Sequence, residues 1–235
     1  MTSLKQKLAY LAATAIPIYL WAKLIQNYLK YKQQIIEKKK THNKHNCVVT
    51  YSKDSGMFGW PEYPERLPLN LSSYDKFLEP VLYFIDTAKY KLDVSVMILN
   101  CQNIIDALVQ AAERNVKIRL ILDARYNDVK QKMRLLVKKG VKIMYDQKFL
   151  HTDSMMHNKY AIKDFNHPNC SRDSGFSLCG SMNWTQSAFS ENYEFLVLSS
   201  NRQVVEAFNK NFEESWEFLH KVKETNMLTE TMYQL

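Results

Sequence analysis

Two short segments hold the side chains best suited to chemistry. MHNKYAIKD supplies His157, Lys159 and Asp164, and GSMNW supplies Gly180, Ser181 and Asn183. Residues two apart on a strand point to one face, so His157 and Lys159 are expected to project into a common pocket. An imidazole titrates near neutrality and can serve as nucleophile or proton carrier. An ammonium beside it can neutralise charge on phosphoryl oxygens, and the Asn183 amide can donate to the same oxygens. The combination suits displacement at a phosphodiester. His157 by itself would read as an exposed or structural histidine, and it is the spacing of the set that singles it out. Ser181 can either hydrogen-bond the phosphate or shape the turn, and Asp164 can support the pocket through hydrogen bonds and ion pairing.

These residues must be positioned by elements that the hydropathy pattern outlines. β-branched runs alternate with helical periodicity after residue 46, the sign of βα units around a buried sheet. Strands are expected at 47–52, 92–99, 116–123 and 141–145, with helices at 73–89, 104–114 and 129–139. Gly140 ends the third helix. Three strands with two intervening helices imply right-handed parallel crossovers. The rhythm then changes to strands at 159–164, 176–179 and 194–198 and an amphipathic helix at 203–221. No repeat of 20 to 50 residues is visible.

Charge is unevenly placed. The chain has a formal net charge of +8 over 235 residues, yet the first 46 hold nine Lys and one Glu, which leaves 23 basic and 23 acidic residues in the remainder. Overall charge is thus no argument for nucleic-acid binding by the globular part. Residues 8–22 carry no charge, and apolar character resumes after Lys23, giving about 22 residues, near the roughly 20 that span a bilayer. Lysines are more numerous after this stretch than before it, which favours a cytosolic C-terminal domain. The reading is a membrane-spanning anchor at 1–30, preferred over a cleaved signal or a surface helix. A basic linker at 31–46, a catalytic domain at 47–222 and a tail at 223–235 complete the chain. Cys47, Cys101, Cys170 and Cys179 form no CxxC pair, so neither a disulfide scaffold nor a zinc ribbon is indicated. His42, His45 and Cys47 are read as part of the linker rather than as a metal site.

Together, His157, Lys159, Asp164, Gly180, Ser181 and Asn183 resemble the signature of the phospholipase D superfamily. The single motif and the N-terminal apolar segment further resemble its cardiolipin hydrolase or Zucchini endonuclease branch, over roughly residues 46–220. The resemblance implies an α/β fold, a phospholipase D-like mixed sheet with helices on both faces, preceded here by the transmembrane helix. It also implies a phosphohistidine on His157, phosphate contacts from Lys159 and Asn183, no cofactor and no catalytic metal, a homodimer, and an acidic residue, here Glu194, orienting the histidine. The chain departs from the pattern in the 15 residues between Asp164 and Gly180, a longer separation than usual and expected to be a surface hairpin. It also has neither Cys nor His at 53–72, so a structural zinc is not expected. His151 could line the groove, whereas Trp184 and Trp216 are read as core.

One motif and no repeat leave one histidine per chain, while displacement at phosphorus needs both an attacking group and an acid for the departing oxygen. Two chains would bring two His157 residues to one phosphate. The resemblance favours single-stranded RNA as substrate and a metal-independent endoribonuclease of the piRNA pathway at the mitochondrial outer membrane. The alternative substrate is cardiolipin, hydrolysed to phosphatidate. A catalytically idle membrane adaptor is the reading from another class, and the intact His, Lys, Asp and Asn set argues against it.

Overall fold

The computed structural model describes residues 3–70, 73–126, 130–146, 155–170 and 174–233. The chain divides into two compact units, Met1–Asn43 and Lys44–Leu235. Helix α1, Leu4–Lys44, makes up the first. It includes the segment expected to be a linker, because residues 31–44 are rich in Gln, Glu, Ile and Lys and hold neither Gly nor Pro. Gln33 bonds Glu37 at 3.0 Å and the Thr41 hydroxyl donates to the Glu37 carbonyl. The expected transmembrane anchor is corrected here. Among the described residues no helix is long and apolar enough to cross a membrane. The uncharged run of residues 8–22 is only 15 residues, and Lys23, Gln26 and Asn27 interrupt the apolar stretch beyond it.

The second unit is one mixed sheet between two layers of helix. In chain order come β1 (Cys47–Ser52), β2 (Gly56–Phe58), α2 (Tyr74–Asp86), β3 (Lys91–Val96), α3 (Gln102–Glu113), β4 (Lys117–Asp123), α4 (Lys130–Lys138) and β5 (Lys142–Asp146). After these come β6 (Lys159–Lys163), β7 (Phe176–Gly180), α5 (Gln186–Ser190), β8 (Glu194–Ser199) and α6 (Arg202–Tyr233). The eight strands lie in the order β2-β1-β8-β7-β6-β3-β4-β5. As the crossovers imply, β3, β4 and β5 are parallel, and β6 returns antiparallel beside β3. The β2 strand and α5 were not anticipated, and α6 continues through the expected C-terminal tail.

Both faces of the central strands are covered, which explains their near-continuous burial. Leu92, Val94, Val96, Ala161, Leu178 and Leu196 pack into one core with residues of α2 and α3. On the other face Ile121, Tyr160 and Ile162 meet Val205, Phe212 and Leu219 of α6. Trp184 is buried in the first core, and Trp216 packs against the second. The segment that follows β6, 165–170 among the described residues, precedes antiparallel β7, with Phe165 buried in the second core. It leaves β6 at the end opposite His157.

Lys163 is a charged residue in an apolar place, 1% exposed. Its ammonium donates to Thr87 Oγ1 and lies 5.4, 4.7 and 5.3 Å from the ring centroids of Tyr83, Phe84 and Phe176. Burial lowers its pKa to about 7, against the opposing pull of Asp164. In the unfolded chain it titrates at roughly 10.4. Between these values the unfolded state holds a proton that the folded state lacks, so this group adds stability as pH rises from about 7 to about 10. Below pH 7 the folded chain must bury the ammonium. Lys163→Met is therefore expected to raise stability at pH 6 and to flatten the rise between pH 7 and 10, read from urea unfolding of both chains across that range. Parallel pH profiles for the two would refute the assignment.

Candidate active site

The site is built where β6 begins. Val96 of β3 stands opposite Lys159, and the Met97 amide extends the pairing by donating to the Asn158 carbonyl at 3.0 Å. His157 is the next residue out and is exposed, whereas Lys159 is buried. The Lys159 ammonium folds back to donate to the His157 carbonyl at 3.0 Å. Burial lowers the pKa of Lys159, and the Glu194 carboxylate opposes that shift. The two residues expected to share a pocket are thus held together at one strand end.

The second segment arrives alongside. β7 runs antiparallel to β6 with Cys179 opposite Tyr160, so the chain leaving β7 lies beside the chain entering β6. Gly180 is required there, since a Cβ would sit 2.0 Å from the Phe195 carbonyl oxygen of β8. Buried Met182 and Trp184 flank Asn183 and fix it from both sides. The backbone of Trp184 is tied to the loop after β3, its amide donating to Ile98 and its carbonyl accepting from Asn100 and Cys101, all at 3.0 Å. Asn183 Oδ1 is buried without a hydrogen-bond partner. Such an atom is costly to leave unmet and marks a place where a ligand or a water completes the structure.

Ser181 and Glu194 act on each other. The Ser181 hydroxyl donates to Glu194 Oε2 and accepts from the Phe195 amide at 3.1 Å, while the Ser181 amide donates to the Phe195 carbonyl. The other carboxylate oxygen accepts from Asn192 at 3.0 Å. Glu194 accordingly touches the electrostatics of Lys159, and its hydrogen bonds go to Ser181 and Asn192 rather than to His157. Ser181 shapes the turn and anchors β8.

Asp164 is placed elsewhere. It follows the last residue of β6, with His157 beyond the first, and has φ +56°. Its carboxylate accepts from three successive amides, Lys89 at 3.0 Å, Tyr90 at 2.8 Å and Lys91 at 3.1 Å, and its own amide donates to the Lys91 carbonyl. In this geometry Asp164, expected to support the pocket through hydrogen bonds and ion pairing, clamps the far end of β6 to the start of β3 through hydrogen bonds. His45 stacks on the Phe176 ring at 3.8 Å within the same unit. His151 lies outside the described residues.

The sequence reading missed Asp146, the last residue of β5. Its carboxylate accepts the Met156 amide, immediately before His157, and burial followed by the charge of Asp123 raises its pKa. An acid ending an apolar strand was the available signal. Also missed was a cavity of about 640 Å³ between the start of α3 and α5, walled by Asn100, Gln102, Asn103, Thr185, Gln186 and Glu191 among others. Its walls are mostly amides and hydroxyls, with the Cys101 thiol and the Glu191 carboxylate, rather than aliphatic side chains.

Comparison with known proteins agrees with this layout. The sequence model described as "Cardiolipin synthase, PLD-like domain" matches residues 81–216, more than half of the chain. A human protein named mitochondrial cardiolipin hydrolase is 27% identical over 165 residues, covering 70% of this chain and 60% of its own length. Its Drosophila melanogaster namesake is 24% identical over 195 residues, covering 75% and 73%. NucT from Helicobacter pylori has a similar fold, with a TM-score of 0.52 at 20% identity over 63% of this chain and 91% of that one.

The geometry separates the clamp from the chemistry. Asp164→Asn replaces a carboxylate that accepts from three amides with a group that also presents N–H donors, and is expected to lower stability by about 2 kcal/mol. Activity per folded molecule should be retained, measured by combining denaturant unfolding with active-fraction assays. A fully stable but inactive Asp164→Asn chain would place the carboxylate in the reaction after all.

Proposed function

Since the chain belongs to the phospholipase D-like family, we propose that it is a metal-independent phosphodiesterase whose nucleophile is His157. The observation that carries this reading is the convergence at one strand end of an exposed imidazole, a buried ammonium bonded to that residue's own carbonyl, and the amide side chain of Asn183, held between buried Met182 and Trp184.

An imidazole nitrogen of His157 attacks the phosphorus, the bond to the departing oxygen breaks, and a phosphohistidine results. Lys159 and Asn183 stabilise charge on the non-bridging oxygens. The departing oxygen needs a proton, and a second chain's His157 supplies it. That same imidazole then takes a proton from water, the water oxygen attacks phosphorus, and His157 is released. The proposed assembly is accordingly a two-fold homodimer. Asp164 and Asp146 hold β6 and the segment before it, and Ser181 holds Glu194 close to Lys159.

Single-stranded RNA is the proposed substrate. The polar cavity that Thr185, two residues after Asn183, helps to line supports it, because its amides and hydroxyls, beside the one carboxylate of Glu191, suit sugars and bases better than acyl chains. A second reading, cardiolipin hydrolysis, is favoured by the names that the human and fly relatives carry. Because the chain covers 60% of the human relative, that protein's activity comes to this one only as a proposal. The same names support a mitochondrial location.

The full chain, in excess EDTA, is expected to cut a single-stranded RNA oligonucleotide to products with 5′ phosphates and to leave cardiolipin vesicles intact. His157→Ala should lower the rate by at least ~10³-fold. Turnover of cardiolipin with RNA untouched would establish the second reading. A strict requirement for Mg²⁺ or Mn²⁺, or no turnover of either substrate, would overturn the mechanism.

A further inference from the structure

At the end of the sheet opposite His157, on the face covered by α6, lies a cavity of about 350 Å³. Lys91, Lys117, Arg119, Lys142 and His167 line it, and among the described residues no acidic side chain does. Strand register produces this concentration of charge. Lys91 of β3 stands opposite Lys117 of β4, and Arg119 of β4 stands opposite Lys142 of β5. Like charges directly across neighbouring strands repel, so each such pair needs compensation.

Half of that compensation is internal. Asp93, 1% exposed, and Glu213 of α6 together hold Lys91 and Arg119, with Arg119 bonding Asp93 at 2.7 Å and Glu213 at 2.7 Å. The guanidinium also faces the Phe212 and Trp216 rings at 4.8 and 5.2 Å. Bonding to Arg119 holds the Glu213 carboxyl down at about 2. The remaining acids nearby are engaged elsewhere, Asp164 on three backbone amides and Glu113 on Lys139. Lys117 and Lys142 are exposed and, among the described residues, have no acidic partner. His167 adds two ring nitrogens, its ring stacked 4.6 Å from Tyr90 and its Nδ1 accepting from the Asn169 amide.

We propose that this cavity is a second anion site that takes a phosphate group, held by Lys117, Lys142 and His167 and supplied either free or as the headgroup of an anionic phospholipid. It is separate from the candidate active site, since β6 alone sets the two apart by roughly 15 Å. Arg119 and Lys91 form its already compensated floor. A doubly charged oxyanion between the two lysines removes the repulsion that Asp93 and Glu213 leave unrelieved, so occupancy stabilises the fold.

The test uses the full chain. Inorganic phosphate should raise the thermal midpoint of Lys159→Met, a background in which the candidate active site has lost its phosphate-binding ammonium and in which the lysine variants below are made. Lys117→Gln combined with Lys142→Gln should weaken phosphate binding at least ~tenfold by titration calorimetry. Lys142→Glu, which places the missing anion inside the cavity, should raise the midpoint without phosphate and abolish the response to it. Vesicles of phosphatidylcholine with and without phosphatidylglycerol identify the source. Loss of phosphatidylglycerol-dependent sedimentation in the double variant assigns the lipid, whereas unchanged sedimentation with lost phosphate binding assigns free phosphate. A phosphate response that survives in both lysine variants, or disappears in Lys159→Met, would overturn the proposal. RNA cleavage is not needed for any of these readings.

Discussion

Everything at the candidate site depends on how β6 is fixed at its two ends. At one end the Asp164 carboxylate draws three consecutive amides of the approach to β3 onto itself, in a left-handed backbone conformation that an aspartate tolerates better than most residues. At the other the Met97 amide meets the Asn158 carbonyl. Between these ties the pairing of β3 with β6 has one register, with Val96 opposite Lys159. A slip of one residue would turn Lys159 to the α6 face and bring Tyr160 into its place. The motif's aspartate therefore serves the reaction from a distance, by deciding which side chains the strand presents where it starts.

The central strands also carry more charge than those of a covered sheet usually do, and the protein handles each charge differently. Lys159 is buried but keeps the His157 carbonyl and the field of Glu194. Arg119 on β4 is neutralised by two carboxylates and sandwiched against aromatic rings, an arrangement that docks α6 onto the sheet. Lys163 has only a hydroxyl and aromatic faces near its ammonium, with Asp164 and Asp86 contributing from farther off, and burial wins. The three solutions differ because their surroundings do. A site that works on phosphate can use a cation with a carboxylate near enough to oppose its loss of charge, whereas a cation without a close partner tends to release its proton.

Much of this was legible in the residues. The run VKIRLILD and the segment from Lys159 to Asp164 were expected as strands, and they form β4 and β6. The His157, Lys159 and Asn183 grouping was legible because strand periodicity and hairpin pairing follow from local pattern. The features that escaped depended on distance in space. Asp164 shares a motif with His157, yet motif membership does not say which end of a strand a side chain serves. Glu194 could be tied to the site but not to Ser181, since that contact requires the β7–β8 register. The three-residue β2 is too short for alternation to declare it, and α5 is a single turn whose cap, Thr185, accepts from the Ala188 amide. Residues 8–22 looked like a membrane span only when joined across Lys23. Asp146 and the polar cavity escaped because their meaning lies in neighbours that arrive from other parts of the chain.

In the proposed mechanism two His157 imidazoles act on one phosphate from opposite sides. The direct measurement is to unfold and refold wild-type and His157→Ala chains together in equal amounts, with exchange confirmed by mass spectrometry, and to assay cleavage of a phosphodiester per total protein. Random pairing in a two-fold assembly gives roughly one quarter wild-type dimers, one half mixed and one quarter mutant. If both imidazoles are needed, mixed dimers are inactive and the rate falls to about one quarter, following the square of the wild-type fraction. A rate of about one half, linear in that fraction, would mean that each chain works alone and would contradict the claim.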